Sequence, residues 1–274
     1  MPASETLIFL HIPKTAGTTV HHILHAQYKG KNMFSTENPG QISNYKILSE
    51  EQKKQLSIIK GHFPYGIHYE HPLPAAYFTF LRDPIKRSIS AFNYLYEHKA
   101  HFFHAEIMRN QYTLKQMLKD GHMKIFDNCQ VRYLADALDL EYGAVDESVY
   151  QRALHNLENG IRVTGICERF DESIVLIRDE FGWNEPFYIM ENVSISTHRK
   201  NEFDEETMGL LHQFNKYDLL LYEYATKRFE DTISSKGPQF QAEVNTFKRK
   251  NSLQTPFRKL FRKLWMMLQK LSGN

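Results

Sequence analysis

The chain has 274 residues, of which 42% are hydrophobic and 24% are charged, and its formal net charge is +2. This length suits one α/β domain, and the near-neutral charge gives no indication of nucleic-acid binding. The two cysteines, Cys129 and Cys167, stand in no metal-binding or redox spacing, so we expect buried, reduced thiols. No run is long and apolar enough to span a bilayer, and the first residues do not read as a signal peptide. We therefore expect a cytosolic protein.

Short apolar runs along the chain predict strands that alternate with helices. The strands are predicted at residues 7–12, 56–59, 75–81 and 163–167. This alternation indicates an α/β fold in a single domain, with a parallel sheet wrapped by helices. In such a fold the chemistry gathers at the carboxyl ends of the strands.

Local signals place the ends of several helices. Thr18 or Thr19 can cap the first helix, Pro84 suits the first position of another, and Gly182 can close a third. Residues 30–50 read as an irregular surface stretch. Helical patterns cover residues 84–96, most of 102–159 with breaks at Gly121 and Gly143, 170–181, and 202–229.

The first motif, HIPKTAGTT at residues 11–19, is predicted to be an anion-binding loop. A strand feeds a tight loop, and the loop feeds a helix whose N-terminal N–H groups and dipole favour an anion. Gly17 permits a close approach of the backbone, and Lys14 adds a positive charge. The bland alternative is an ordinary strand–turn–helix. We expect the ligand to be held by Lys14, Thr15, Ala16, Gly17, Thr18 and Thr19.

The second motif, LRDPIKRSISAFNY at residues 81–94, also follows a predicted strand. Arg82 lies at the strand end and Ser90 on the next helix, so the two can share one phosphate, with Arg82 binding it in bidentate fashion. The alternative is that Asp83 only caps the helix and Arg82 forms a surface ion pair. Two anion motifs together suit a nucleoside that carries two separate anionic groups.

The pair of motifs resembles the 5′-phosphosulfate loop and the 3′-phosphate motif of sulfotransferases that use 3′-phosphoadenosine 5′-phosphosulfate (PAPS). It is most similar to the carbohydrate branch, which includes heparan sulfate 2-O-sulfotransferase and its bacterial relatives. The resemblance runs from about residue 7 to residue 229 and implies a P-loop-like fold, PAPS as co-substrate and no metal. It also implies that Arg199 and Lys200, in the basic segment STHRKN, close over the nucleotide.

The segment KGHF at residues 60–63 resembles the family's short Gly-His segment, which carries the catalytic base. In-line sulfuryl transfer, like phosphoryl transfer, needs positioning, charge stabilisation and a base for the acceptor hydroxyl. We expect His62 to be that base, with His11 as its rival among 14 histidines. Lys14 is expected to stabilise the charge on the bridging oxygen.

Two other functions stay open at this point. A P-loop nucleotide kinase would need G-x-x-x-x-G-K-[ST], whereas Lys14 here precedes Gly17, and no strand-ending aspartate suits Mg²⁺. Activity that survives EDTA would favour sulfuryl transfer over such a kinase. A non-catalytic nucleotide- or glycan-binding protein would bind adenosine 3′,5′-bisphosphate (PAP) without turnover.

The C-terminal segment is expected to stand apart from the catalytic domain. We assign residues 1–235 to the sulfotransferase domain and residues 236–274 to a linker and a basic amphipathic helix that starts after Pro256. A basic helix with an apolar face is typical of a membrane interface, and it would suit a carbohydrate or glycolipid acceptor at the inner face of the membrane. A helix docked on its own domain or on a partner protein is the alternative. The apolar face comprises Phe257, Leu260, Phe261, Leu264, Trp265, Leu268 and Leu271.

Overall fold

The computed structural model describes residues 5–101, 103–189 and 203–271, without the side chains of residues 39 and 257–271. Five parallel strands form one sheet in the order β2-β3-β1-β4-β5, with helices around it. The expected parallel sheet wrapped by helices is confirmed. The strands are β1 (Thr6–Leu10), β2 (Met33–Thr36), β3 (Ile58–Gly61), β4 (Ala75–Leu81) and β5 (Ile161–Ile166).

Strand β2 was missed because it lies in the stretch that we expected to be irregular. It has only four residues, sits at the edge of the sheet and buries Thr36 alone, so it lacks the apolar run that marks the central strands. In contrast, all five residues of β1 are buried, because helices cover both faces of the sheet at its centre.

Helices form in each predicted region, but residues 102–159 hold four helices with longer breaks than predicted, at 111–113, 121–128 and 135–146. The second predicted strand-to-helix turn holds Pro84 at the first helical position, and Gly182 closes a helix with φ 64°. The helices are α1 (Gly17–Gln27), α2 (Ile42–Lys46), α3 (Glu50–Lys54), α4 (Pro84–Glu97), α5 (His104–Asn110), α6 (Leu114–Asp120), α7 (Cys129–Leu134), α8 (Glu147–Asn159), α9 (Phe170–Phe181), α10 (Glu205–Phe214), α11 (Lys216–Ser235) and α12 (Gly237–Leu271).

The expected cap of α1 was wrong. Ala16 is the N-cap residue, in the left-handed conformation with φ 61°, and no side chain caps the helix. Thr18 and Thr19 lie inside the first turn of α1. The helix begins earlier than expected, so the first turn itself becomes part of the loop motif.

The segment before Pro256 that we expected to be a linker is helical. Helix α12 runs unbroken from Gly237, so Pro256 lies inside it and does not start it. Phe240, Val244 and Phe247 are spaced by four and three residues and are buried in the main core, and the Phe247 ring stacks on Phe187 at 6.1 Å. The first half of α12 therefore packs on the catalytic domain. Within the described residues, none of the helices has the length and apolar character that crossing a membrane requires.

Candidate active site

The candidate site lies at the carboxyl ends of the three central strands. His11 follows β1, His62 follows β3 and Arg82 follows β4, so the parallel topology brings both motifs and the expected base to one edge of the sheet. The chain leaves β1 for β2 on one side and passes from β3 to β4 across β1. This reversal of direction makes a crevice beside β1, where open α/β sheets bind ligands.

The first motif forms a loop with two unusual backbone conformations. Lys14 and Ala16 have φ values of 70° and 61°, which non-glycine residues adopt at a cost. Backbone turns of this kind aim successive N–H groups into one concavity, and the N-terminus of α1 adds its dipole. The buried Thr15 hydroxyl donates to the Ile12 carbonyl at 2.8 Å, so in this structure it holds the loop closed.

A direct hydrogen bond joins the two motifs. The Arg82 guanidinium donates through Nη1 to the Lys14 carbonyl at 3.1 Å. The backbone of Arg82 is fixed by the Gln130 side chain, which accepts from its N–H and donates to its carbonyl, both at 2.9 Å. Asp218, fully buried, accepts in turn from the backbone N–H groups of Gln130 and Val131. The position of Arg82 is thus set from α7 and α11.

The loop and the strand end place several positive charges close together. Burial, followed by the nearby charge of Arg82, lowers the pKa of Lys14 to about 8, although the charge of Glu97 opposes the shift. Neither cation forms a salt bridge within the described residues, and the Lys14 ammonium lies 4.0 Å from the centre of the Tyr94 ring. The positive charges of Lys14 and Arg82 could therefore attract an anionic ligand.

His62 has one ring nitrogen committed and the other available. Its Nδ1 lies 2.8 Å from the His11 carbonyl oxygen, which can only accept, so Nδ1 carries the proton and Nε2 keeps its lone pair. Burial lowers the pKa of His62, and Lys14 adds to this, while the hydrogen bond to His11 and the charge of Glu37 oppose it. His62 is therefore neutral at pH 7, as a general base must be.

The sequence matches the model of the "Sulfotransferase family" over residues 2–225, most of its length. This protein is a member of the sulfotransferase family. A search of the curated proteins finds no match. Among solved structures, a sulfotransferase from Alicyclobacillus acidocaldarius is 13% identical, with a TM-score of 0.41, covering 79% of this chain and 94% of that one. Mouse sulfotransferase SULT7A1 complexed with PAP is 12% identical, with a TM-score of 0.35 and coverages of 90% and 89%.

Three further residues are expected in the site of this sulfotransferase: Ser90, Arg199 and Lys200. Ser90 is half-buried on α4, two turns beyond Arg82, on the helix that leads away from the strand end. Arg199 and Lys200 lie outside the described residues. Among the residues that are described, no group of three or more His, Cys, Asp or Glu side chains is placed to hold a metal ion.

Sequence reasoning missed a further cation beside the sulfotransferase site. Arg87, on the first turns of α4, is fully buried, and its Nη2 donates to Ser88 Oγ and to the Ile125 carbonyl. Its Nε and Nη1 have no hydrogen-bond partner, and its charge lowers the pKa of Lys14. The "KR" in the second motif was the available signal, but nothing in the spacing separates a buried arginine from a surface one.

Gly17 has a steric role that the sequence did not reveal. A Cβ atom at residue 17 would lie 1.6 Å from Nε2 of His11, because the His11 ring occupies that space. The glycine is therefore required by the imidazole of the protein itself, whether or not a ligand is bound.

We expect Gly17→Ala to lower the free energy of unfolding by about 1–3 kcal/mol, the usual cost of overpacking. Urea unfolding followed by circular dichroism measures it. The matched test is the same substitution in a His11→Ala background, where the space is vacated and the cost should fall to a few tenths of a kcal/mol. Equal costs in both backgrounds would show that the ring is not the obstacle.

Proposed function

We propose that this sulfotransferase moves the sulfuryl group of PAPS to a hydroxyl of a carbohydrate or glycolipid acceptor, with His62 as general base. The observation that carries the proposal is the Arg82–Lys14 hydrogen bond, which joins two anion-binding motifs at the crevice beside the base. Within the described residues, neither Lys14 nor Arg82 forms a salt bridge, and Glu97 acts on Lys14 only from a longer distance.

The residues present fit a nucleotide with two anionic ends. The loop of residues 14–19 and the N-terminus of α1 suit the 5′-phosphosulfate, and Arg82 with Ser90 suits the 3′-phosphate. The Arg82 guanidinium uses Nη1 for Lys14, which leaves the rest of its fork for a phosphate. Arg199 and Lys200 extend the proposal as residues that close over the nucleotide. PAPS, when bound, supplies an activated sulfuryl group.

The chain's own residues then move one proton and stabilise one charge. His62 Nε2 takes the proton of the acceptor hydroxyl as its oxygen forms the new bond to sulfur. The bond from sulfur to the bridging phosphate oxygen breaks, and Lys14 stabilises the charge that collects there. A Lys14 pKa of about 8 keeps most of these side chains charged at pH 7 before any ligand binds.

A second proposal concerns the C-terminal part of α12 and the place where the enzyme binds its acceptor. We propose that residues 257–271 lie on an anionic membrane surface, with their apolar stripe inward and their basic residues at the lipid headgroups. Between residues 244 and 274 there are eight basic residues and no acid. Lys248 and Lys250 lie near Asp171 and Glu185 of the domain, so the proposal assigns the membrane contact to the five basic residues after Pro256.

The first test concerns the 3′-phosphate. Arg82→Ala should weaken binding of PAP about 10–100-fold more than binding of AMP, which lacks the 3′ group, because a charged hydrogen bond is worth about 1.5–3 kcal/mol. Any loss for AMP reports the lost contact of Arg82 with the Lys14 carbonyl, which affects both ligands. Isothermal calorimetry with both ligands measures this, and the exposed Arg109→Ala is the control. Equal losses for PAP and AMP would refute the assignment.

The second test concerns the base. His62→Ala should reduce turnover by roughly 10² or more while PAP affinity is kept, with His22→Ala, an exposed histidine of α1, as control. The wild-type rate should fall as the pH drops through the pKa of His62. Since burial lowers that pKa below its usual 6.5, this loss should appear at a more acidic pH than for a solvent-exposed histidine. Near-normal turnover of His62→Ala would contradict the role of His62 as general base.

The third test concerns the membrane. The full chain should co-sediment with anionic vesicles, and a chain ending at Thr255 should not; this end point keeps Phe247, which is buried in the core. A second variant replaces Arg258, Lys259, Arg262 and Lys263 with glutamine and should lose binding to anionic vesicles. The proposal fails if the full and shortened chains pellet equally, or if neither pellets.

A further inference from the structure

A buried lysine lies beneath the first motif, surrounded by imidazoles. Lys60, in β3 and two residues before His62, is 2% exposed. Its Nζ lies 2.9 Å from His21 Nδ1 and 3.1 Å from His25 Nε2. The two histidines are four residues apart and so lie on one face of α1. Within the described residues Lys60 has no carboxylate partner, although burying an unpaired ammonium is costly.

The contacts continue from Lys60 to the loop. His21 Nε2 lies 3.2 Å from His11 Nδ1, so Lys60, His21 and His11 form one hydrogen-bonded chain. The His11 ring also stacks on the ring of His62, with centroids 4.1 Å apart. His11, at the end of this hydrogen-bonded chain, therefore contacts His62, the proposed base.

The chemistry of the groups fixes the direction of every hydrogen bond in the chain. An ammonium can only donate, so His21 Nδ1 accepts from Lys60. A neutral His21 then carries its proton on Nε2 and donates it to His11 Nδ1. A neutral His11 in turn carries its proton on Nε2. Both rings are neutral at pH 7, because burial, followed by nearby positive charges, lowers the pKa of His11 and His21. Lys60, with a pKa of about 8, stays largely charged.

The hydrogen-bonded chain ends at His11, beside the first residue of α1. His11 Nε2 lies 1.6 Å from the position that a Cβ of Gly17, the first residue of α1, would take. It has no hydrogen-bond partner among the described residues. A protonated Nε2 at this point is a hydrogen-bond donor beside the loop of residues 14–19. It adds to the backbone N–H groups and to Lys14.

We propose that Lys60 and His21 are positioning residues that hold His11 as the Nε2–H tautomer, so that His11 donates a hydrogen bond to the anionic group bound in the loop. The identity of that group as the phosphosulfate end of PAPS rests on the proposed function. The charge of Lys60 polarises the chain without bringing the ammonium into contact with the ligand. A bound anion offsets the cost of burying that charge.

The test uses a matched pair of substitutions at His21. His21→Gln keeps one acceptor and one donor in the side chain, so it can accept from Lys60 and donate to His11. His21→Leu breaks the chain. Lys60→Met removes its charged end, and Lys54→Met, at an exposed lysine paired with Glu50, is the control for losing a lysine. All variants are made in the full chain.

Two measurements are read together. Heteronuclear NMR of the ring nitrogens in the ligand-free protein should show His11 as Nε2–H in the wild type, in His21→Gln and in Lys54→Met. It should show the other tautomer or a mixture in His21→Leu and Lys60→Met. Calorimetric affinity for PAP should be roughly tenfold or more weaker in the same two variants and near normal in the other two.

An unchanged His11 tautomer in both broken-chain variants would overturn the proposal. So would a changed tautomer with wild-type PAP affinity, because His11 would then not act on the ligand. If Lys60→Met does not fold, the His21 pair carries the test. Failure of the wild type to bind PAP would contradict the proposed function, and it would be distinguishable because the tautomers are measured without ligand.

Discussion

The candidate site depends on the hydrogen bond between the Arg82 guanidinium and the Lys14 carbonyl. Lys14 and Arg82 are 68 positions apart in the chain, and they meet because β1 and β4 are neighbours in the sheet. The bond ties a strained loop, with left-handed Lys14 and Ala16, to the end of a fully packed strand. Without it, the two cations would have no fixed separation, and a ligand with two charged ends would have to pay for ordering them.

Two further positive charges, on Arg87 and Lys60, are buried beside the site. Arg87 and Lys60 are both buried, and neither forms an ion pair within the described residues. A buried cation without a salt bridge costs stability, although the charge of Arg87 is partly offset by the buried Asp218. The charges of Arg87 and Lys60 both act on residues of the loop motif, Lys14 and His11. The neutral imidazoles between Lys60 and the loop allow this without a second ammonium in the crevice.

Much of the fold could be predicted from local sequence patterns. Most of the contacts that hold the site residues in place could not. The bounds of β4 and α9 follow from an apolar run ended by Arg82 and a helical stripe ended by Gly182, both of which are local signals. The roles of Gln130 and Asp218 depend on contacts 48 and 88 positions away, which no spacing reveals. Ala16 as the cap of α1 was equally hidden, because two threonines nearby are better caps in isolation.

The short edge strand β2 has a consequence for how His62 is held in place. Thr36, its last residue, accepts from the backbone N–H of His62 and donates through its hydroxyl to the His62 carbonyl. The proposed base is thus held from the β2 side of the sheet, whereas the proposed nucleotide contacts lie toward β1 and β4. A substitution that shifts Thr36 would therefore displace His62 and leave the contact between Arg82 and Lys14 in place.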